Sequence, residues 1–125
     1  MENGMPKVLV VEDEKPLARA LELKLSHANC QVDVAKTGKE AMGFLQDNSY
    51  DMVITDLIMP EMDGFEVIRK ARSQTPELKI TVLSNLGQES DMKKVRELGV
   101  EDYFIKANTP ISSIIRHVQE KLGND

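Results

Sequence analysis

Glu12, Asp13, Asp56, Ser84 and Lys106 each stand at or just past the end of a short apolar run. Carboxylates brought together repel one another and bind protons more tightly unless a cation neutralises them. Glu12, Asp13 and Asp56 would form an oxygen-only set suited to a hard divalent ion, Mg2+ that keeps several waters above all. A carboxylate can also attack a phosphoryl group and form an acyl phosphate. The transferred charge then needs a metal, a cation and hydrogen-bond donors around it. Lys106 offers a compact positive charge and Ser84 a hydroxyl donor, so every part of that chemistry is present.

Taken singly, each residue has a plainer reading. An acidic pair after a strand often only favours a helix N-terminus through the dipole, and Asp56 alone could be a capping carboxylate. What points to chemistry is the joint placement after the first, third, fourth and fifth apolar runs.

Those runs are Val8–Val11, Val32–Val34, Met52–Ile54, Ile80–Leu83 and Tyr103–Ile105. Several are continuously apolar, which suits strands covered on both faces. Between them lie stripes at helical spacing: Leu17, Leu21, Leu25, Ala28; Ala41, Phe44, Leu45; Phe65, Ile68, Ala71; Met92, Val95, Leu98; and Ile111, Ile114, Ile115, Val118, Leu122. Steps of three or four residues turn one apolar face of each helix toward a sheet. Gly38, Gly64 and Gly87 mark passages from strand to helix, Gly99 a helix C-cap, and Thr109-Pro110 an N-cap with proline at the first helical position. Only Met1–Met5 and Gly123–Asp125 read as loose ends of a single domain over 1–125 with its core at about 7–122.

Strands alternating with helices predict an α/β domain with a parallel sheet, since parallel neighbours need crossover helices. Right-handed crossovers put helices on both faces, making the sheet doubly wound. Ligands of such sheets bind at the carboxyl ends of the strands, where the five polar residues gather.

Bulk properties exclude several functions. The 125 residues carry a formal net charge of -5, which opposes a nucleic-acid surface and an anionic membrane surface. No apolar run approaches the roughly 20 residues of a membrane span. One cysteine, Cys30, cannot close an intrachain disulfide, and no basic cluster beside it suggests an activated thiolate. His27 and His117 have no metal-ligand partner at suitable spacing and read as solvated or packed helix residues. A cytoplasmic location is the default expectation.

The residues also carry a resemblance. Glu12-Asp13, Thr55-Asp56-Leu57-Ile58-Met59-Pro60, Met62-Asp63-Gly64, Ser84 and Phe104-Ile105-Lys106 resemble the receiver domain of two-component response regulators, of the chemotaxis-regulator kind. The likeness runs from about Lys7 to Leu122. It implies a flavodoxin-like fold of five parallel strands in the order 2-1-3-4-5 with five helices. Asp56 would be the phosphoacceptor, with Mg2+ held by Glu12, Asp13, Asp56 and the backbone carbonyl of Ile58. Ser84 would bind phosphoryl oxygens, Lys106 would pair with their charge, and Tyr103 would turn inward as a switch. The donor would be a sensor histidine kinase or a histidine phosphotransfer protein. The output surface would be the fourth helix, fifth strand and fifth helix, about Gln88 to Leu122, which meets a downstream protein or a second copy in a dimer through helices 4 and 5.

Two departures from the family pattern stand out. Ala107 replaces the proline that usually follows the lysine, often through a cis peptide, which before a non-proline residue costs about 2.5–4 kcal/mol. Asn85 replaces the small residue that usually follows the hydroxyl, and would either narrow donor access or add a polar contact. Ile58 and Leu86 are expected to flank the opening; neither side chain can orient a water, so slow loss of the phosphoryl group is expected. The leading function is thus a phosphoacceptor switch rather than a turnover enzyme. One alternative is an interaction module that keeps the fold without phosphate. Another is an aspartate-nucleophile phosphohydrolase, opposed by Ile58 standing where such enzymes carry a second acid. No second domain follows the fifth stripe, so a stand-alone regulator and a receiver from a longer protein both fit.

Overall fold

The continuously apolar runs become the interior of one sheet in the computed structural model, which describes residues 4–59 and 61–123. The elements follow as β1 (Lys7–Val11), α1 (Lys15–His27), β2 (Gln31–Ala35), α2 (Gly38–Asp47), β3 (Met52–Thr55) and α3 (Gly64–Gln74). Then come β4 (Lys79–Ser84), α4 (Glu89–Glu97), β5 (Asp102–Ile105), a 3-10 turn (Lys106–Asn108) and α5 (Ile111–Leu122). Of the expected loose ends, 1–3 and 124–125 lie outside the described residues, as does Pro60 of the motif.

All four strand pairings are parallel, in the order β2-β1-β3-β4-β5. This is the flavodoxin-like order. Alternate residues of each strand face opposite layers. Leu9, Val11, Val53, Ile80 and Val82 pack with Ala41, Leu45, Phe65, Ile68, Ala71 and Val95 from α2, α3 and α4. Val8, Val10, Met52, Ile54 and Leu83 pack with Leu21, Leu25, Ile114 and Val118 from α1 and α5. Each fully buried Leu, Ile or Val contributes about 1.5–3 kcal/mol relative to exposure, so two covered faces explain why these strands lack polar alternation. The chain leaves β1 toward β2, then returns to the other side for β3. That reversal opens the sheet's carboxyl edge between β1 and β3.

Side chains set the helix limits. Thr37 and Asp63 accept N-cap hydrogen bonds from the Glu40 and Glu66 amides, at 3.0 and 3.1 Å. Gly99, at φ +83°, lies just past the Leu98 cap of α4, in the left-handed region that favours glycine. Arg72 of α3 donates to the carbonyls of Leu98 (3.2 Å), Gly99 (2.8 Å), Pro76 (3.0 Å) and Leu78, and so stitches α4 to the turn before β4.

The start of α5 corrects the sequence reading by one residue. Pro110 is the N-cap, and Thr109 does not cap the helix; its hydroxyl donates to the Ile105 carbonyl at 2.8 Å. Thr109 instead closes the preceding 3-10 turn, Lys106–Asn108, as its C-cap.

His117 is packed rather than solvated. Its Nε2 lies 2.9 Å from the Thr81 hydroxyl, and the Phe104 ring meets it edge-on at 4.9 Å. Burial lowers its pKa below the ordinary 6.5, against Asp102 and Glu120, which raise it, and together with Lys121. As pH falls, the unfolded chain therefore takes up this proton first. The stability due to neutral His117 should be full above about 6.5, decline as pH drops toward the lower folded value, and level off below it. His117→Gln keeps a partner for Thr81 and should remove that slope, which urea midpoints measured from about pH 7.5 to about pH 5 would show.

Candidate functional site

The carboxyl ends of β1, β3 and β5 bring the predicted residues together. Asp56 follows β3 directly, its amide donating to the Val11 carbonyl at 3.1 Å and so tying it to the end of β1. Its carboxylate is buried and tightly held. The Leu57 and Ile58 amides donate to Oδ1 at 2.6 and 3.3 Å, while Lys106 Nζ donates to Oδ2 at 2.7 Å. Glu12, Asp13 and Asp56 can each aim an oxygen so that all three lie within 4.8 Å of one another. Asp13 is exposed, whereas Glu12 is buried beneath it.

Electrostatics reflects this crowding. Burial pushes the Glu12 carboxyl up to about 7, although hydrogen bonds from Lys106 and the Glu14 amide pull the other way. Burial alone would lower the Lys106 ammonium; hydrogen bonds to Asp56, Glu14 and Glu12 outweigh it and raise the pKa. Lys106 remains charged at neutral pH and compensates only part of the acidic cluster. A three-carboxylate set with too little countercharge, and with hard oxygen donors, fits a divalent cation.

Glu14 was missed by sequence reasoning. It receives Lys106 Nζ at 2.6 Å, alongside Glu12 at 2.9 Å and Asp56 at 2.7 Å. Its position in the run Glu12-Asp13-Glu14 was the available signal, but a third acid there reads equally well as the wet start of α1. In the structure it is the N-cap residue of that helix, with its side chain on the lysine rather than on the helix amides.

Ser84 and Tyr103 meet at one loop. Ser84 is buried at the end of β4, where its Oγ accepts the Leu86 amide at 3.3 Å; among the described residues no hydrogen bond joins it to Asp56. The Tyr103 hydroxyl donates to the Leu86 carbonyl, and burial, then Asp91 and Asp56, push its pKa up to about 12. Leu86 is half-buried against the core layer of α2, α3 and α4, while Ile58 is 58% exposed. The Lys106–Ala107 peptide is trans, since no cis bond occurs among the described residues. Asn85 makes a polar contact, its Oδ1 accepting the Ala107 amide at 3.0 Å.

A family model described as the response regulator receiver domain matches residues 8–118. The chain belongs to that family. The receiver domain is 38% identical over 104 residues to the response regulator ArlR of Staphylococcus haemolyticus. That match covers 82% of this chain and 46% of the relative, so the chain spans about half the length of the curated relatives it matches. Among solved structures, the Francisella response regulator 1452 receiver domain superposes with a TM-score of 0.85 at 30% identity, covering 94% of this chain and 97% of that one. The chemotaxis response regulator CheY4 of Vibrio cholerae gives 0.84 at 26% identity, covering 94% and 98%. The protein is therefore a receiver domain of two-component signalling. No helix among its described residues is long and apolar enough to cross a membrane.

Proposed function

We propose that Asp56 accepts a phosphoryl group from a phosphohistidine on a sensor histidine kinase or a histidine phosphotransfer protein. The observation that carries this reading is the Asp56 carboxylate held by two backbone amides and by Lys106 inside an acidic cluster. The amides orient the carboxylate, which leaves Oδ2 to attack phosphorus. The O–P bond forms as the P–N bond to the donor imidazole breaks, and the imidazole leaves with the bonding pair. Lys106 then moves from Oδ2 onto the phosphoryl oxygens. Glu12, Asp13, Asp56 and the Ile58 carbonyl would hold Mg2+, which when bound neutralises the carboxylates and the charge on the phosphoryl oxygens.

Ser84 carries the switch. Turning its hydroxyl to a phosphoryl oxygen releases the Leu86 amide, and Leu86 is the residue whose carbonyl holds Tyr103. The change thereby reaches α4, β5 and α5, the surface for a downstream protein or a second copy. A phosphoryl group that only the rearranged form contacts biases the equilibrium toward that form.

Incubation with Mg2+ and acetyl phosphate tests this, with intact mass read after acid quench. One added phosphoryl group, lost when the divalent ion is chelated, is the expected result. No adduct would leave the phosphate-independent interaction module, and turnover of a phosphomonoester would favour a hydrolase.

A further inference from the structure

Asn85 and Ala107 are the immediate neighbours of Ser84 and Lys106, and one hydrogen bond joins them. The Ala107 amide donates to Asn85 Oδ1 at 3.0 Å. Ala107 lies inside the 3-10 turn Lys106–Asn108, whose first amides have no carbonyl within the turn to receive them. Beyond Ile105, which pairs with Ser84, the sheet ladder ends. The turn is braced at its far end by Thr109, through its amide on the Lys106 carbonyl (3.3 Å) and its hydroxyl on the Ile105 carbonyl (2.8 Å). Both bonds stay within the turn's own segment. Asn85 supplies the cross-loop bond to it from the β4–α4 side.

We infer that Asn85 is a positioning residue for phosphoryl transfer, which sets Lys106 by clamping the Ala107 backbone to the loop that carries Ser84. The inference rests on the phosphoacceptor reading of Asp56. Lysine is a point charge on a flexible four-carbon stem, so the place its ammonium reaches depends on where its backbone is held. Here that ammonium must serve Asp56 and its incoming phosphoryl group while Glu12 and Glu14 draw on it as well. A loop free to shift would let the exposed Glu14 keep the lysine away from the reacting oxygen. The clamp also gives the two loops one motion: when Ser84 turns toward the phosphoryl group, Ala107 follows Asn85, and Lys106 follows Ala107.

The two departures from the family pattern therefore form one unit. A proline at 107 would have no N–H to donate, and an alanine or glycine at 85 would have no oxygen to receive one. Because both partners are exposed, the bond adds little to global stability. Its loss should register in phosphoryl uptake instead.

The test is a cycle of wild type, Asn85→Ala, Ala107→Pro and the double variant. Uptake from acetyl phosphate is timed by intact mass across a Mg2+ titration, with thermal midpoints alongside. Asn85→Ala should slow uptake about 10-fold, less than the roughly 100-fold that a misplacement of about 1 Å can cost, with the midpoint and Mg2+ half-saturation unchanged. The double variant should be no slower than the slower single one. Unchanged uptake in Asn85→Ala, or effects that multiply, would overturn the inference. Hydrogen exchange at the Ala107 amide needs no second variant to fold. It should quicken in Asn85→Ala and stay slow in Asn85→Asp, which keeps the acceptor oxygen; exchange indifferent to Asn85 would overturn the clamp. If wild type takes up no phosphoryl group while Ala107 still depends on Asn85, the phosphoacceptor reading fails, and the positioning role fails with it.

Discussion

Gly64→Ala is expected to destabilise the receiver domain by about 3 kcal/mol, the upper end of what overpacking costs. Gly64 is the first residue of α3, and its amide donates to the Leu57 carbonyl at 3.0 Å. A Cβ there would stand 1.9 Å from the Asp56 carbonyl oxygen and 2.7 Å from Leu57 Cα. Those atoms are backbone of the phosphoacceptor loop, so no side chain can swing away to make room. Either α3 retreats from the sheet or the Asp56 loop moves, and the second would also displace the carboxylate. Gly43→Ala is the matched control. It lies within α2 with nothing inside 4 Å of a new Cβ, and should gain about 1 kcal/mol from helix propensity. Urea unfolding of the two variants decides; equal midpoints would show that the Gly64 contact relaxes freely.

Removing the ammonium is expected to have the next largest effect. Lys106→Ala should slow phosphoryl uptake by about 100-fold, the lower end of what one preorganised electrostatic partner supplies. It should also cost roughly 2 kcal/mol of stability without Mg2+, less than the 3–5 kcal/mol usual for breaking a buried pair. The reason is Glu12. Its carboxyl already sits at about 7, so it can take up a proton when the lysine leaves and spare the cluster an uncompensated charge. Added Mg2+ should recover more stability in Lys106→Ala than in wild type, because the variant has lost its internal countercharge. Thermal midpoints with and without the ion check this; an equal gain in both would mean that the ammonium and the metal do not share these carboxylates.

The parts of the molecule that could be read from sequence are those whose signal is local. Val8–Val11 and Met52–Ile54 announce central strands because every side chain in them is buried between two helical layers. Ala41 with Leu45, and Ile114 with Val118, announce helix faces for the complementary reason. That Glu12, Asp13, Asp56 and Lys106 would cluster was legible because β1, β3 and β5 end on the same edge of a parallel sheet. What escaped depends on contacts between distant segments. Glu14 is a site residue only because Lys106, 92 positions away, reaches it. Thr109 turns from the expected cap to the Ile105 carbonyl because the chain first makes a 3-10 turn. Arg72 carried no signal in the sequence, yet it closes the carbonyls of two separate loops. Asn85 and Ala107 were visible as departures, but the bond that unites them was not.

The most direct test asks which carboxylate carries the phosphoryl group. After reaction with acetyl phosphate and Mg2+, borohydride reduces an aspartyl phosphate to homoserine, and peptide mass spectrometry locates the change. Homoserine is expected at position 56, with none in the chelated control and none anywhere in Asp56→Asn. Conversion at Asp13 or Asp51 with position 56 intact would contradict the assignment to Asp56.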